Sequence, residues 1–241
     1  TTSANNNDRP TGQNKTAMGN VSVKYIGRTE YSRAWELQRT LFDGLLRSKE
    51  GAEPGEQTLL LVEHPHVYTL GKSGHESNLL VNDDFLRSIG ATYFRTDRGG
   101  DITYHGLGQL VGYPILDLEQ EGLSLRDYIW RLEESIIDTV AEYGIMAGRL
   151  DGATGVWIDA QTPCARKICA IGVKASRYVT MHGFALNVTT DLSYFSHINP
   201  CGFTDKGVTS VEKETGLKPS LEEVAGRFAA HFSEQMGCTL L

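Results

Sequence analysis

Apolar residues recur along this chain with two different periods. Between 123 and 143, Tyr128, Ile129, Leu132, Ile136, Val140 and Tyr143 return at helical intervals, with Ser124 placed to cap the helix and Gly144 to end it. A second helix is predicted from Tyr31, Trp35, Leu41, Phe42 and Leu45, with Thr29 as its cap. A third lies at the C-terminus, where Ser220 and Glu223 form a capping box before Val224, Phe228 and Phe232. A short helix begins at Asp83 or Asp84 and closes at Gly90.

The remaining apolar pattern reads as strands. VSVKYIG at 21 to 27 is one; a Gly/Glu/Pro-rich loop at 51 to 57 then precedes TLLLVE, which Pro65 interrupts and which resumes through Val67 to Leu70. Residues 91 to 118 read as a β-hairpin region, with turns at Gly99-Gly100 and at Gly106 and Gly108. IMAGR and TGVWID are two short strands, and 166 to 202 reads as two longer strands, a helical turn and an Asn-Pro-Cys-Gly corner. Strands outnumber helices, and the long helices fall near the start, middle and end. That order predicts an α/β fold with a mostly antiparallel sheet packed with helices.

At 241 residues the chain suits one domain, assigned to 21–241; the polar residues 1–20 are expected to be a disordered tail or processed end. No apolar run approaches the roughly 20 residues of a membrane span, so no membrane partner is expected. A formal net charge of -7 argues against nucleic-acid binding. Yet no Asp or Glu falls between Asp159 and Asp191, which predicts a locally positive field around Arg166, Lys167, Lys174 and Arg177. Four cysteines at 164, 169, 201 and 238 form neither a disulfide framework nor a CxxC zinc pair, and read as reduced thiols. Gly71-Lys72-Ser73 fails as a phosphate loop because His66 stands where the motif needs glycine. His64, His66 and His75 have no patterned carboxylate or thiol beside them, so no metal is expected.

Candidate chemistry gathers in the stretch from Arg166 to Gly202. Cys201 follows Pro200, which restrains the backbone, and precedes Gly202, which permits a sharp turn; these flanks favour a presented thiol over a buried structural one. A thiol needs a neighbouring cation or base to become a nucleophile at neutral pH. If 166 to 174 is a regular strand, Lys167 shares a face with Cys169, Ile171 and Val173, and Lys174 shares the other with Arg166, Ile168, Ala170 and Gly172. Parity leaves both lysines open, with Lys174 the more solvated at the strand end. His182 alternates in register with Phe184, Leu186 and Val188, as a core histidine or a supporting group in the site. His105, beside Gly106, reads as a pocket wall.

RGGDITYHGLGQLVGYPILDL, RKICAIGVKASRYVTMHGFALNV and INPCG, in this order, resemble the lipoyl(octanoyl) transferase family, which moves an octanoyl group from acyl carrier protein to a lysine of a lipoyl domain. Leu107 stands where that family has proline in HGPGQ. The resemblance implies a fold like the catalytic domain of biotin and lipoate protein ligases, a nucleophile at Cys201 and an activating lysine at Lys167, with Lys174 at the surface. It implies that substrate lies against Arg98, Gly99, Gly100, Asp101, Ile102, Thr103, Tyr104 and His105, against Ala170, Ile171 and Gly172, and against Gly183, Phe184 and Ala185. The implied partners are octanoyl-acyl carrier protein, the lipoyl domains of 2-oxoacid dehydrogenase complexes and the glycine cleavage H protein, with no cofactor or nucleotide. The implied compartment is the cytoplasm, or an organellar matrix in a eukaryote.

Overall fold

A computed structural model describes residues 19–199 and 206–241. The expected tail therefore lies almost wholly outside the described residues, as does Cys201. The chain runs β1 (Asn20–Arg28), α1 (Tyr31–Ser48), β2 (Thr58–Glu63), β3 (Val67–Leu70), α2 (Asp83–Ser88), β4 (Thr92–Arg95), β5 (Ile102–His105) and β6 (Gln109–Ile115). It continues through α3 (Leu125–Ala141), β7 (Ala147–Leu150), β8 (Ala153–Ile158), β9 (Arg166–Ser176), β10 (Val179–Asn187), β11 (Gly207–Val208), α4 (Val211–Thr215), α5 (Leu221–Met236) and β12 (Thr239–Leu240). A 3-10 turn at Leu192–His197 follows β10.

The large sheet has the order β12-β1-β2-β6-β10-β9-β8-β7, with β11 paired to β9. Its β2/β6, β6/β10, β10/β9, β9/β8 and β8/β7 pairs are antiparallel. Helices cover both faces, which is why Leu59 to Val62 of β2 are apolar without alternating. Leu59 and Leu61 pack toward Tyr128, Leu132 and Ile136 of α3 and Phe228 and Phe232 of α5. Leu60 and Val62 pack toward Ala34, Phe42 and Leu45 of α1. Ser124 and Ser220 cap α3 and α5 by accepting the Asp127 and Glu223 amides, as their spacing predicts. Thr29 does not cap α1; its hydroxyl donates to the Ile26 carbonyl, and α1 starts after Glu30 with no side-chain cap.

A second sheet of three strands, β4-β3-β5, corrects the reading of 91 to 118 as hairpins. β3 lies in the middle, parallel to β4 and antiparallel to β5, so β4 and β5 do not pair with each other. The chain crosses between sheets at Pro65, separating β2 from β3, and again at 106–108, separating β5 from β6. These crossings hold the small sheet against one end of β9 and β10. Gly99 donates its amide to the Val173 carbonyl at 2.9 Å, fastening the 98–101 loop onto β9. No helix among the described residues is long and apolar enough to cross a membrane.

Candidate active site

A cavity of about 920 Å³ opens where the two sheets meet. Its walls include Arg98, Gly99, Gly100, Asp101, Ile102, Thr103 and His105, then Lys167, Ala170, Ile171 and Gly172, then His182, Gly183, Phe184 and Ala185. Segments separated by more than sixty residues of chain thus face one space. Tyr104 is the exception among the described residues expected at substrate. Its side chain turns into the core of the small sheet, stacks on Tyr194 at 4.9 Å and contacts His66 Nδ1 through its hydroxyl at 2.7 Å. Strand alternation explains this: Thr103 and His105 flank Tyr104 on the opposite face.

Strand irregularity decides which way Lys167 points. Val156 pairs with Cys169, and the next residue, Trp157, pairs with Lys167, so Ile168 is an extra residue in β9. The expected shared face of Lys167 and Cys169 is therefore wrong. Cys169 is fully buried in the core beneath α3 and α5, where burial pushes its thiol pKa up. Lys167 is turned to the cavity, its ammonium 4.6 Å from the centroid of the Trp157 ring. The Trp157 indole is itself fixed by donating to the Ala153 carbonyl. Gly155 lets β8 approach β9 here: its φ of +130 suits glycine, and an added Cβ would lie 2.7 Å from the Cys169 carbonyl oxygen. Burial holds the Lys167 amine below the ordinary lysine value.

Lys174 is not the solvated strand-end lysine that its position suggests. Its side chain is only 26% exposed; the ammonium sits 2.7 Å from Asp97 Oδ2 and 4.9 Å from the centroid of Phe42. Arg166 pairs with Glu214 and Asp159, and Arg177 pairs with Glu50. The expected positive field is thus largely neutralised by acids that come from outside the acid-free stretch.

A buried hydrogen-bonded network backs the cavity. Gln109 Nε2 donates to Asn187 Oδ1 at 2.9 Å, and Gln109 Oε1 meets His105 Nδ1 at 2.9 Å. His105 Nε2 lies 3.4 Å from Thr69 Oγ1, which also accepts from Arg98 at 3.0 Å. Arg98 is 7% exposed and makes no ion pair among the described residues; it donates to the Thr69 and Gly99 carbonyls. His64, fully buried, uses Nδ1 toward the Thr29 carbonyl and Nε2 toward the Tyr113 hydroxyl. Sequence reading did not single out Asp97, Gln109, Trp157 or Asn187. Asp97 precedes the RGG motif directly, and Trp157 lies in the TGVWID strand, but neither has a local pattern that marks a role.

Burial pulls the His105 imidazolium down to about 3 and that of His64 to about 4. An unfolded histidine titrates near 6.5, so below that pH the unfolded chain binds protons that the native state refuses. Stability contributed by these two groups is present above about pH 6.5 and is lost as pH falls through the window toward 4. Urea unfolding at pH 7 and pH 4.5 should show this loss, and His105→Gln should flatten it. An unchanged pH dependence in that variant would mean that His105 carries charge in the native protein.

A mixed sheet covered by helices on both faces, with a cavity walled by a glycine-rich loop and a half-buried lysine, defines an α/β protein with a candidate active site. The chain belongs to the lipoyl protein ligase A/B catalytic domain family, whose model matches residues 30–233. It is 57% identical over 197 residues to an octanoyltransferase of Bacteroides fragilis, covering 82% of this chain and 89% of that protein. It is 49% identical over 228 residues to an octanoyltransferase of Flavobacterium psychrophilum, covering 92% and 98%. The fold matches a bipartite lipoate protein ligase from Thermoplasma acidophilum, described with its E2 lipoyl domain, at a TM-score of 0.66 and 16% identity, covering 93% and 86%. It also matches lipoate-protein ligase A bound with ATP at a TM-score of 0.65 and 17% identity, covering 92% and 87%.

Proposed function

We propose that this protein is an octanoyltransferase of protein lipoylation, working through a thioester on Cys201, with residues 21–241 as one catalytic unit. The observation that carries the mechanism is Lys167, a half-buried lysine of lowered pKa that lines a cavity of about 920 Å³. The donor is octanoyl-acyl carrier protein. The acceptor is a lysine of a lipoyl domain, in the 2-oxoacid dehydrogenase complexes or the glycine cleavage H protein, and the compartment is the cytoplasm.

Proton transfer from the Cys201 thiol to the Lys167 amine gives a thiolate beside an ammonium. The thiolate attacks the donor thioester carbon, and the carbon–sulfur bond to phosphopantetheine breaks. Lys167 gives its proton to that departing sulfur and is left as a neutral amine. The acceptor lysine then attacks the acyl-enzyme carbonyl and loses its proton to Lys167, and Cys201 leaves as thiolate. No step consumes a nucleotide. The acyl chain lies along β9 and β10, against Ala170, Ile171 and Gly172 and against Gly183, Phe184 and Ala185, beneath the Arg98–His105 loop.

Incubation with octanoyl-acyl carrier protein in the absence of ATP tests this reading by intact mass. One octanoyl group is expected on the protein, absent from Cys201→Ser and discharged on adding a lipoyl domain. The competing reading is an ATP-dependent ligase, which shares this fold and needs no cysteine. Acceptor modification that requires ATP and survives Cys201→Ser would replace the transferase with that ligase.

A further inference from the structure

The two ends of the cavity differ in character. At one end, near the start of β9, β11 brings Val208 beside Lys167. At the other, His182, Arg98 and His105 are buried. His182 faces Val173 across the β9/β10 ladder, six residue steps along β9 from Lys167. At the rise of an extended strand, and with one residue taken up by the bulge, this separates the two backbones by roughly 17–20 Å. An extended eight-carbon chain measures about 9 Å, from bonds near 1.5 Å. The rest of the interval is the reach of the two side chains and the thioester.

His182 is held unusually firmly for a cavity wall. Its φ of 60 is a left-handed conformation inside a strand, disfavoured for a histidine and maintained here by its surroundings. The expected register with Phe184 is consequently broken. Phe184 packs on Phe228 of α5 at 4.4 Å, whereas the His182 ring turns toward Trp35 of α1 at 6.2 Å. The backbone amide donates to Gln38 Oε1 at 3.0 Å. Nε2 donates to Asp97 Oδ1 at 2.7 Å, and the other Asp97 oxygen accepts from Lys174 at 2.7 Å. The same pairing draws the Asp97 carboxyl well below its usual range, and burial keeps the imidazole below its own.

We propose that His182, locked by Asp97, is the stop that ends the acyl channel and sets its preference for eight-carbon chains over longer ones. The proposal rests on the transferase reading, which puts the thioester at the Lys167 end. An octanoyl methyl group packs against the ring without disturbing it. A longer chain has to displace the ring, which breaks a charge-assisted hydrogen bond and costs the buried imidazole its carboxylate partner, Asp97, whose own side chain is 37% exposed. An apolar wall would yield by rotamer change and reject extra methylenes weakly; a tethered polar wall does not yield.

The test is competition between octanoyl- and dodecanoyl-acyl carrier protein, read as the ratio of the two adducts by intact mass. Glycine accepts a φ of 60, so His182→Gly removes the ring without adding backbone strain. It should raise the dodecanoyl-to-octanoyl ratio by about tenfold or more over wild type. Asp97→Asn keeps the ring and weakens its tether, and should raise the ratio by a smaller factor. A ratio within about twofold of wild type in His182→Gly overturns the proposal. Should that variant fail to fold, His182→Asn, also tolerated in this conformation, and Asp97→Asn are read the same way. Wild-type protein that forms no adduct with either donor sinks the transferase reading; adducts in an unaltered ratio across the variants sink the stop alone.

Discussion

Lys167→Met is expected to lower the rate of octanoyl transfer by about 10²- to 10⁴-fold, the range ordinarily supplied by one positioned acid–base group. Methionine matches the length of the lysine stem and keeps its packing on Trp157, so the loss reports the amine. Two roles are lost together: the charge that stabilises the Cys201 thiolate and the base that relieves the acceptor lysine of its proton. Lys167→Arg separates them. It keeps the charge but holds its proton at any working pH, so alkylation of Cys201 by iodoacetamide should survive better than transfer to the acceptor. Full transfer activity in Lys167→Arg would exclude the shuttle.

Lys167→Met should also gain stability. Burial lowers the folded-state pKa of Lys167, so the unfolded state holds the lysine proton more tightly. For a base shifted in this direction, stability is complete above the unfolded pKa and declines as pH falls through the folded one. Lys167→Met removes that dependence and should raise stability at neutral pH by about 1 kcal/mol, a gain typical where a functional group sits in a costly setting. Urea unfolding of both proteins at pH 7 checks the sign. A loss of stability in Lys167→Met would mean that the ammonium's local contacts outweigh its desolvation.

Gly183→Ala should have the largest effect on folding. An added Cβ would lie 2.1 Å from the Gly112 carbonyl oxygen and 2.8 Å from Pro114 Cδ. Both obstacles belong to β6, which is paired to β10 on one side and β2 on the other, so it cannot withdraw. The obstruction runs in both directions, since a Cβ on Gly112 would lie 2.1 Å from the Phe184 ring. We expect a loss of about 3 kcal/mol, at the upper end of overpacking effects. For a chain of this size that corresponds to a fall in Tm of roughly 6–12 °C. A loss below about 1 kcal/mol would show that the central ladder can shift at this point.

Much of the secondary structure is legible in the sequence because its signals are local. Caps at Ser124 and Ser220 act on amides three residues away, and the apolar stripes of α3 and α5 depend only on the pitch of a helix. The three motif blocks, in order, were enough to point to the family and to name segments that the fold brings to one cavity. Pairing was less legible. TLLLVE and VYTL read as one interrupted strand, and only the completed fold shows that Pro65 divides them between two sheets. β4 and β5 read as a hairpin because they are close in sequence, yet each pairs with β3.

The site divides along the same line. By itself the sequence determined the residue types available for chemistry: a cysteine between proline and glycine, two lysines on one strand, a histidine in the next. Tertiary structure decided which lysine faces the cavity, through one extra residue at Ile168 that alternation over a regular strand does not anticipate. It also decided that Lys174, Arg166 and Arg177 are neutralised, by Asp97, Glu214 and Glu50 from remote parts of the chain. His182 owes its orientation to Gln38, 144 residues away, and to Asp97, 85 residues away. Periodicity and capping are set by neighbours within a turn, so they can be read in order along the chain. Charge pairing and side-chain direction at a strand irregularity depend on what the fold brings alongside, and no local pattern carries that information.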